Sequence, residues 1–145
     1  MTKDISNMIK EKLKELEQNL IYLKQISYDM NIENLKSDMI RYWGIERGIQ
    51  ISIECVIDIG NIIISVSGKD KPNTYRETML KLSDIGVVSK KFSKRLANMT
   101  GFRNILVHDY TRVDEEIIIN ILKRDINDFI KYSVEVNKWL KNNNY

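Results

Sequence analysis

The chain has 145 residues, 43% hydrophobic and 30% charged, a balance that excludes intrinsic disorder and fits one domain around one core. Its net charge of +3, from 23 basic and 20 acidic residues, excludes bulk polyanion binding, so any affinity for RNA must come from a local patch. The single cysteine, Cys55, excludes an intramolecular disulfide and gives no argument for secretion.

One proline and six glycines leave room for long helices, and the apolar periodicity is helical nearly throughout. Ile5, Ile9, Leu13, Leu16, Leu20 and Leu23, spaced three and four apart, predict a first helix over residues 4–29. Its Lys- and Glu-studded start is no signal peptide. Residues 31–34 are expected to break it, and a long second helix is predicted over 35–66, ending at Ser67-Gly68. Glu54 and Asp58 interrupt that apolar run and argue against a membrane span, while Cys55 reads as a buried, inert thiol. Residues 69–73 form the clearest loop, since Pro72 disfavours a helical residue before it. A short helix over 74–84 follows, with Gly86 just past its end. Ser89 is the natural N-cap of a fourth helix carrying Phe92, Leu96, Met99, Phe102 and Leu106. Asp114 caps a fifth helix running to about 140, with Glu115 and Glu116 suited to the dipole of its first turn. Residues 141–145 read as a frayed tail. The expectation is an all-α, antiparallel bundle of four to five helices over 1–145, cytoplasmic and free of any membrane.

Within the second helix Arg47, Gln50, Glu54, Asp58 and Asn61 fall within roughly 80° of one another on a helical wheel. Nearly everything else there is apolar or small, so one narrow polar stripe needs partners. A solvent-facing strip is the plain reading. The sharper one is a hydrogen-bonded network beside a functional site, which the mixed signs of Arg47, Glu54 and Asp58 favour over an RNA-binding surface.

The chemistry-bearing segment is Phe102-Arg103-Asn104-Ile105-Leu106-Val107-His108-Asp109-Tyr110, which holds the only histidine. With Arg103 at the origin of a wheel, Asn104, His108 and Tyr110 fall at about 100°, 140° and 340°, with Phe102, Ile105 and Leu106 on the opposite arc. Asp109 lands among the aliphatic residues, so the helix is expected to bend or end there. An imidazole exchanges protons near neutral pH, and a guanidinium offers a rigid fork to a phosphate. RNA cleavage without a metal needs a base for the ribose 2′-OH, an acid for the leaving 5′-oxygen and a cation for the phosphorane. His108 can supply the proton transfers and Arg103 the electrostatic support. One imidazole cannot easily do both jobs, but a two-fold dimer would present a second pair. A lone helical histidine is more often structural, and what raises this one is the concentration of Arg, Asn, His and Tyr on one face. No second histidine or cysteine cluster exists to complete a metal site, so no metal or cofactor is expected. Lys90, Lys91, Lys94 and Arg95 crowd the start of the same helix; Lys90 and Lys94, near the azimuth of His108, are candidate RNA contacts, although a solvated face is the commoner explanation.

Arg103-Asn104-x-x-x-His108-x-Tyr110 resembles the R-N-x-x-x-H-x-Y signature of the HEPN superfamily, in its HepT-like toxin branch. Arg41-Tyr42, Glu46-Arg47, Gln50, Glu54 and Asp58 resemble that branch's second-helix pattern, and Thr74-Tyr75-Arg76-Glu77 its connecting segment. The resemblance thus spans nearly the whole chain. It implies a helical homodimer with both copies of Arg103 and His108 in a cleft at the two-fold axis. It implies a metal-independent endoribonuclease toxin, acting on RNA such as tRNA, whose partner is an MntA-like nucleotidyltransferase antitoxin that attaches AMP to Tyr110. Asn104 would orient His108 or the phosphate, with Arg47 and Glu54 supporting the cleft. The alternative from a different class is a non-catalytic nucleotide-binding or scaffold subunit partnering the nucleotidyltransferase.

Overall fold

The computed structural model describes residues 3–108 and 114–145, with Val107 and His108 described by their backbone alone. Helix α1, Lys3–Ile26, turns Ile9, Leu13, Leu16, Leu20 and Leu23 into the core on the predicted stripe. Its partner is α3, Met39–Val66, the central helix, which also packs against α4, Tyr75–Ile85, α5, Lys90–His108, and α7, Ile126–Asn142. Between them lie the short helices α2, Ile32–Ser37, and α6, Glu115–Asn120. All described regular elements are helical, as expected.

The close approach of α1 to α3 depends on small residues. A methyl group at Gly48 would stand 2.7 Å from Leu23 Cδ2, and one at Gly44 would stand 2.7 Å from Ile26 Cδ1. The buried girth of α3 carries Ile45, Ile49, Ile53, Val56, Ile59 and Ile63, each at most 1% exposed. Fully burying one such side chain contributes about 1.5–3 kcal/mol. By length and composition α3 could cross a bilayer, but here its apolar residues form the protein core. Tyr132 of α7 reaches into that core and donates its hydroxyl to the Val56 carbonyl at 2.9 Å.

Several boundaries match their local chemistry. Thr74 Oγ1 accepts from the Glu77 N–H at 3.0 Å, Gly86 takes the left-handed conformation (φ 90°), and the Ser89 hydroxyl accepts from the Phe92 N–H at 3.1 Å. Asp114 caps α6 through the Glu116 N–H at 2.8 Å.

Three expectations need correction. The predicted 35–66 helix is two helices, because the Asp38 side chain takes the Arg41 N–H at 3.1 Å and starts α3 there, while Asn31 caps α2 through the Asn34 N–H at 2.8 Å. The predicted 114–140 helix contains a π-helical turn, Ile121–Asp125, which wedges one extra residue into the ladder between α6 and α7. The tail is folded rather than frayed: α7 runs to Asn142, Asn144 is left-handed (φ 64°), and the Tyr145 N–H returns to the Leu140 carbonyl at 2.9 Å. The Tyr145 ring then lies 6.5 Å from that of Trp139.

Candidate active site

Arg103 lies on α5 where α3 and α4 both approach it, and its side chain is only 22% exposed. Its buried Nε makes no hydrogen bond and faces Glu54 Oε1 of α3 at 3.6 Å. Glu54 is steadied in turn by Gln50, whose amide donates to Oε1 at 3.2 Å. From α4, the Tyr75 ring lies under the guanidinium at 5.0 Å, within cation–π range. A fork held along its Nε edge and one flat face has few orientations left. Its Nη groups have no acceptor among the described residues, and their planar fork has the geometry to bind a phosphate. At 3.6 Å and with no hydrogen bond to Nε, the Glu54–Arg103 contact serves orientation more than stability.

Asn104, one residue on, is exposed and lines a groove of about 300 Å³ between α4 and α5. Across that groove Arg76 donates to Asn98 Oδ1 at 2.8 Å, tying the two helices together. His108 ends α5, about 7.5 Å along the axis from Arg103 by helical rise. Its side chain, and Tyr110 altogether, lie outside the described residues. Lys90 and Lys94 are exposed near the start of α5, at the far end from His108.

The polar stripe of α3 divides between neighbours. Gln50 and Glu54 serve Arg103, Asp58 pairs with Lys12 of α1 at 3.3 Å, and Asn61 accepts the Thr78 hydroxyl of α4 at 3.0 Å. Arg47 is exposed and lines a separate hollow with Asn19 and Tyr22 of α1; nothing described brings it to Arg103. Tyr75 is the residue that sequence reasoning missed as a site member. It was seen only as part of the Thr74-Tyr75-Arg76-Glu77 connecting segment, an aromatic side chain in the first turn after the Pro72 loop. Cys55 is buried, and burial, then the nearby Glu15 carboxylate, push its thiol up to about 12, which leaves no thiolate at neutral pH.

The profile of the ribonuclease HepT-like family matches residues 9–136. The chain belongs to that family. Membership makes it an endoribonuclease by class, as the sequence led us to expect. It is 25% identical over 136 residues to the tRNA nuclease HepT of Aphanizomenon flos-aquae, covering 92% of this chain and 90% of that one. It is 29% identical over 84 residues to the mRNA nuclease HepT of Shewanella oneidensis, a match covering 58% of this chain and 63% of that protein's length. Among solved structures, the tri-AMPylated HEPN toxin of Shewanella oneidensis, in complex with its MNT antitoxin, superposes with a TM-score of 0.81 at 23% identity. That superposition covers 95% of this chain and 99% of the toxin, and it establishes the shared fold.

Proposed function

We propose that this HepT-like chain is the RNA-cleaving toxin of a toxin–antitoxin pair, acting without a metal by attack of the ribose 2′-OH on the adjacent phosphate. Arg103 stabilises the charge that builds on the phosphorane, His108 moves the protons, and Asn104 orients His108 or the phosphate. The observation that carries the reading is the pre-set guanidinium: Glu54 and Tyr75 hold Arg103 before any substrate arrives, on the helix that ends at His108. Preorganised charge is where most electrostatic catalysis originates.

One imidazole cannot easily make both proton transfers at once, so the working form in this proposal is a two-fold homodimer pairing two Arg103–His108 sets. Glu54 supports the cleft from α3, and Lys90 and Lys94 extend the RNA track along α5. The partner is an MntA-like nucleotidyltransferase, in keeping with the antitoxin complex named for the Shewanella toxin, and Tyr110 is its AMP acceptor. A bulky anion there would compete with RNA for the Arg103 fork. The pair works in the cytoplasm, where its RNA is.

The test is incubation of purified protein with tRNA and mRNA in EDTA. Fragments ending in 2′,3′-cyclic phosphate, lost in His108→Ala, are the expected result. Intact RNA under all conditions would leave a scaffold for the nucleotidyltransferase instead.

A further inference from the structure

A second hollow adjoins the Arg103 site and has no role in the chemistry above. It lies between the last turns of α3, the loop 67–74 and the first turn of α4, with a volume of about 480 Å³. That falls within the usual size of small-ligand sites and is ample for a nucleobase with its ribose. Ile64 and Pro72 give it an apolar wall, Asn61 and Thr78 a polar one, and Lys69 and Lys71 stand at its exposed rim.

Tyr75 belongs to both places: it lines this hollow and carries the Arg103 guanidinium at 5.0 Å. It also lines the α4/α5 groove that holds Asn104. A strand whose phosphate rests on Arg103 therefore has one hollow on either side of the Tyr75 ridge.

We propose that the Asn61 hollow is a nucleobase pocket that selects the nucleotide flanking the cleaved bond in single-stranded RNA, an inference that rests on the RNA-cleavage reading. Asn61 Oδ1 lies 3.0 Å from the Thr78 hydroxyl, whose single proton is shared with the Thr74 carbonyl at 3.2 Å, and the NH₂ end of the amide has no acceptor among the described residues. An amide held at one end beside an apolar wall suits base-edge recognition. Neither Lys69 nor Lys71 pairs with a described carboxylate, so both remain for the next phosphate.

The pocket is also built in advance. Lys81 donates to the Asp70 carbonyl at 2.7 Å, and Glu77 accepts the Asn73 N–H at 2.9 Å and pairs with Lys81 at 3.4 Å. These clamps anchor the loop to α4 at two points, so little ordering is left for binding to supply.

The experiment uses the full chain as His108→Ala, to keep RNA uncut, with oligonucleotides carrying one 4-thiouridine at each position in turn. Photocrosslinks read by mass spectrometry are expected at Tyr75 or within residues 69–73, from a single position next to the bond that the wild-type protein cuts. Asn61→Ala is expected to weaken oligonucleotide binding about five- to ten-fold and to flatten base preference at that position. Asn61→Asp, nearly isosteric, replaces the donor by a repelling carboxylate and is expected to weaken it further. Melting curves confirm that both variants fold. Cleavage without crosslinks at these residues, or an unchanged base profile in both Asn61 variants, overturns the pocket and leaves the nuclease standing. Crosslinks with no cleavage by wild type would show a base-binding hollow in a non-cleaving protein, and overturn both the nuclease reading and the flanking-nucleotide role. Free mononucleotides binding as tightly as the oligonucleotides would point to an effector site and also overturn it.

Discussion

Arg103 and Tyr75 come from different helices, yet the guanidinium lies 5.0 Å over the centre of the phenol ring. This contact asks for the flat face of Tyr75 and nothing from its hydroxyl. Tyr75→Phe is therefore expected to keep most cleavage activity, while Tyr75→Leu lowers kcat/KM by about five- to thirty-fold, the worth of a partly desolvated cation–π pair. Both variants keep the wild-type melting temperature, because Tyr75 is 37% exposed. Equal losses in Phe and Leu would show that the hydroxyl, not the ring, matters.

Glu54 holds the other edge of the same guanidinium. Glu54→Gln removes the charge and keeps the size, so Arg103 loses its anchor while the fold stays. The expected result is a fall in kcat of about ten-fold with little change in KM, because a free fork still binds phosphate but is poorly aimed. Arg103→Lys is expected to lose about 10²–10³-fold, since an ammonium offers a point charge in place of a planar fork. Full activity in Arg103→Lys would remove the fork from the mechanism.

How much of this was legible in the sequence depends on how local each cause is. Gly86, Ser89 and Asp114 mark helix ends through backbone a few residues away, and each was read correctly; Thr74, read as the first helical residue, is the cap just before it. Asp38 does the same, but it sits inside an otherwise periodic run that reads straight across it. The π turn at Ile121–Asp125 shows only as a five-residue step between the buried Ile121 and Ile126, and the tail closes through a left-handed Asn144 with Tyr145 meeting Trp139, signals too slight to set against a helical run and a polar tail. The stripe on α3 announced that Glu54 needed partners beside the site, and Arg103 is the one it meets. Tyr75 could not be found this way, because no periodicity links a residue in the first turn of α4 to one on α5.

The π turn also supplies a pH prediction. Asp125 sits at its end, and burial, then the nearby Asp128 carboxylate, raise its pKa above the ordinary value, against the opposing pull of Arg124 and Arg95. A raised carboxyl pKa means that the charged form is disfavoured in the fold. The cost is absent when the group is protonated in both states, appears as pH rises past the unfolded value of about 3.9, and is complete above the folded one. Asp125→Asn is thus expected to melt higher than wild type at pH 7, with the difference vanishing near pH 3. A lower melting temperature at pH 7 would mean that the Arg124 and Arg95 charges dominate.

The α1–α3 contact offers a test of the packing that places the whole site. A methyl group at Gly48 would stand 2.7 Å from Leu23 Cδ2 and 3.1 Å from Leu23 Cγ, and Leu23 is itself 1% exposed, so its whole side chain must shift to make room. Gly48→Ala improves helix propensity by up to about 1 kcal/mol, which opposes the clash. Overpacking of this kind costs about 1–3 kcal/mol, so the clash is expected to win and the melting temperature to fall by a few degrees. Pairing it with Leu23→Ala separates the two effects. The single Leu23→Ala change leaves a cavity and costs about 2–5 kcal/mol. In the double variant the new methyl fills part of that space, so the combined loss is expected to be clearly less than the sum. Strict additivity in chemical denaturation would show that the helices do not meet at these two residues.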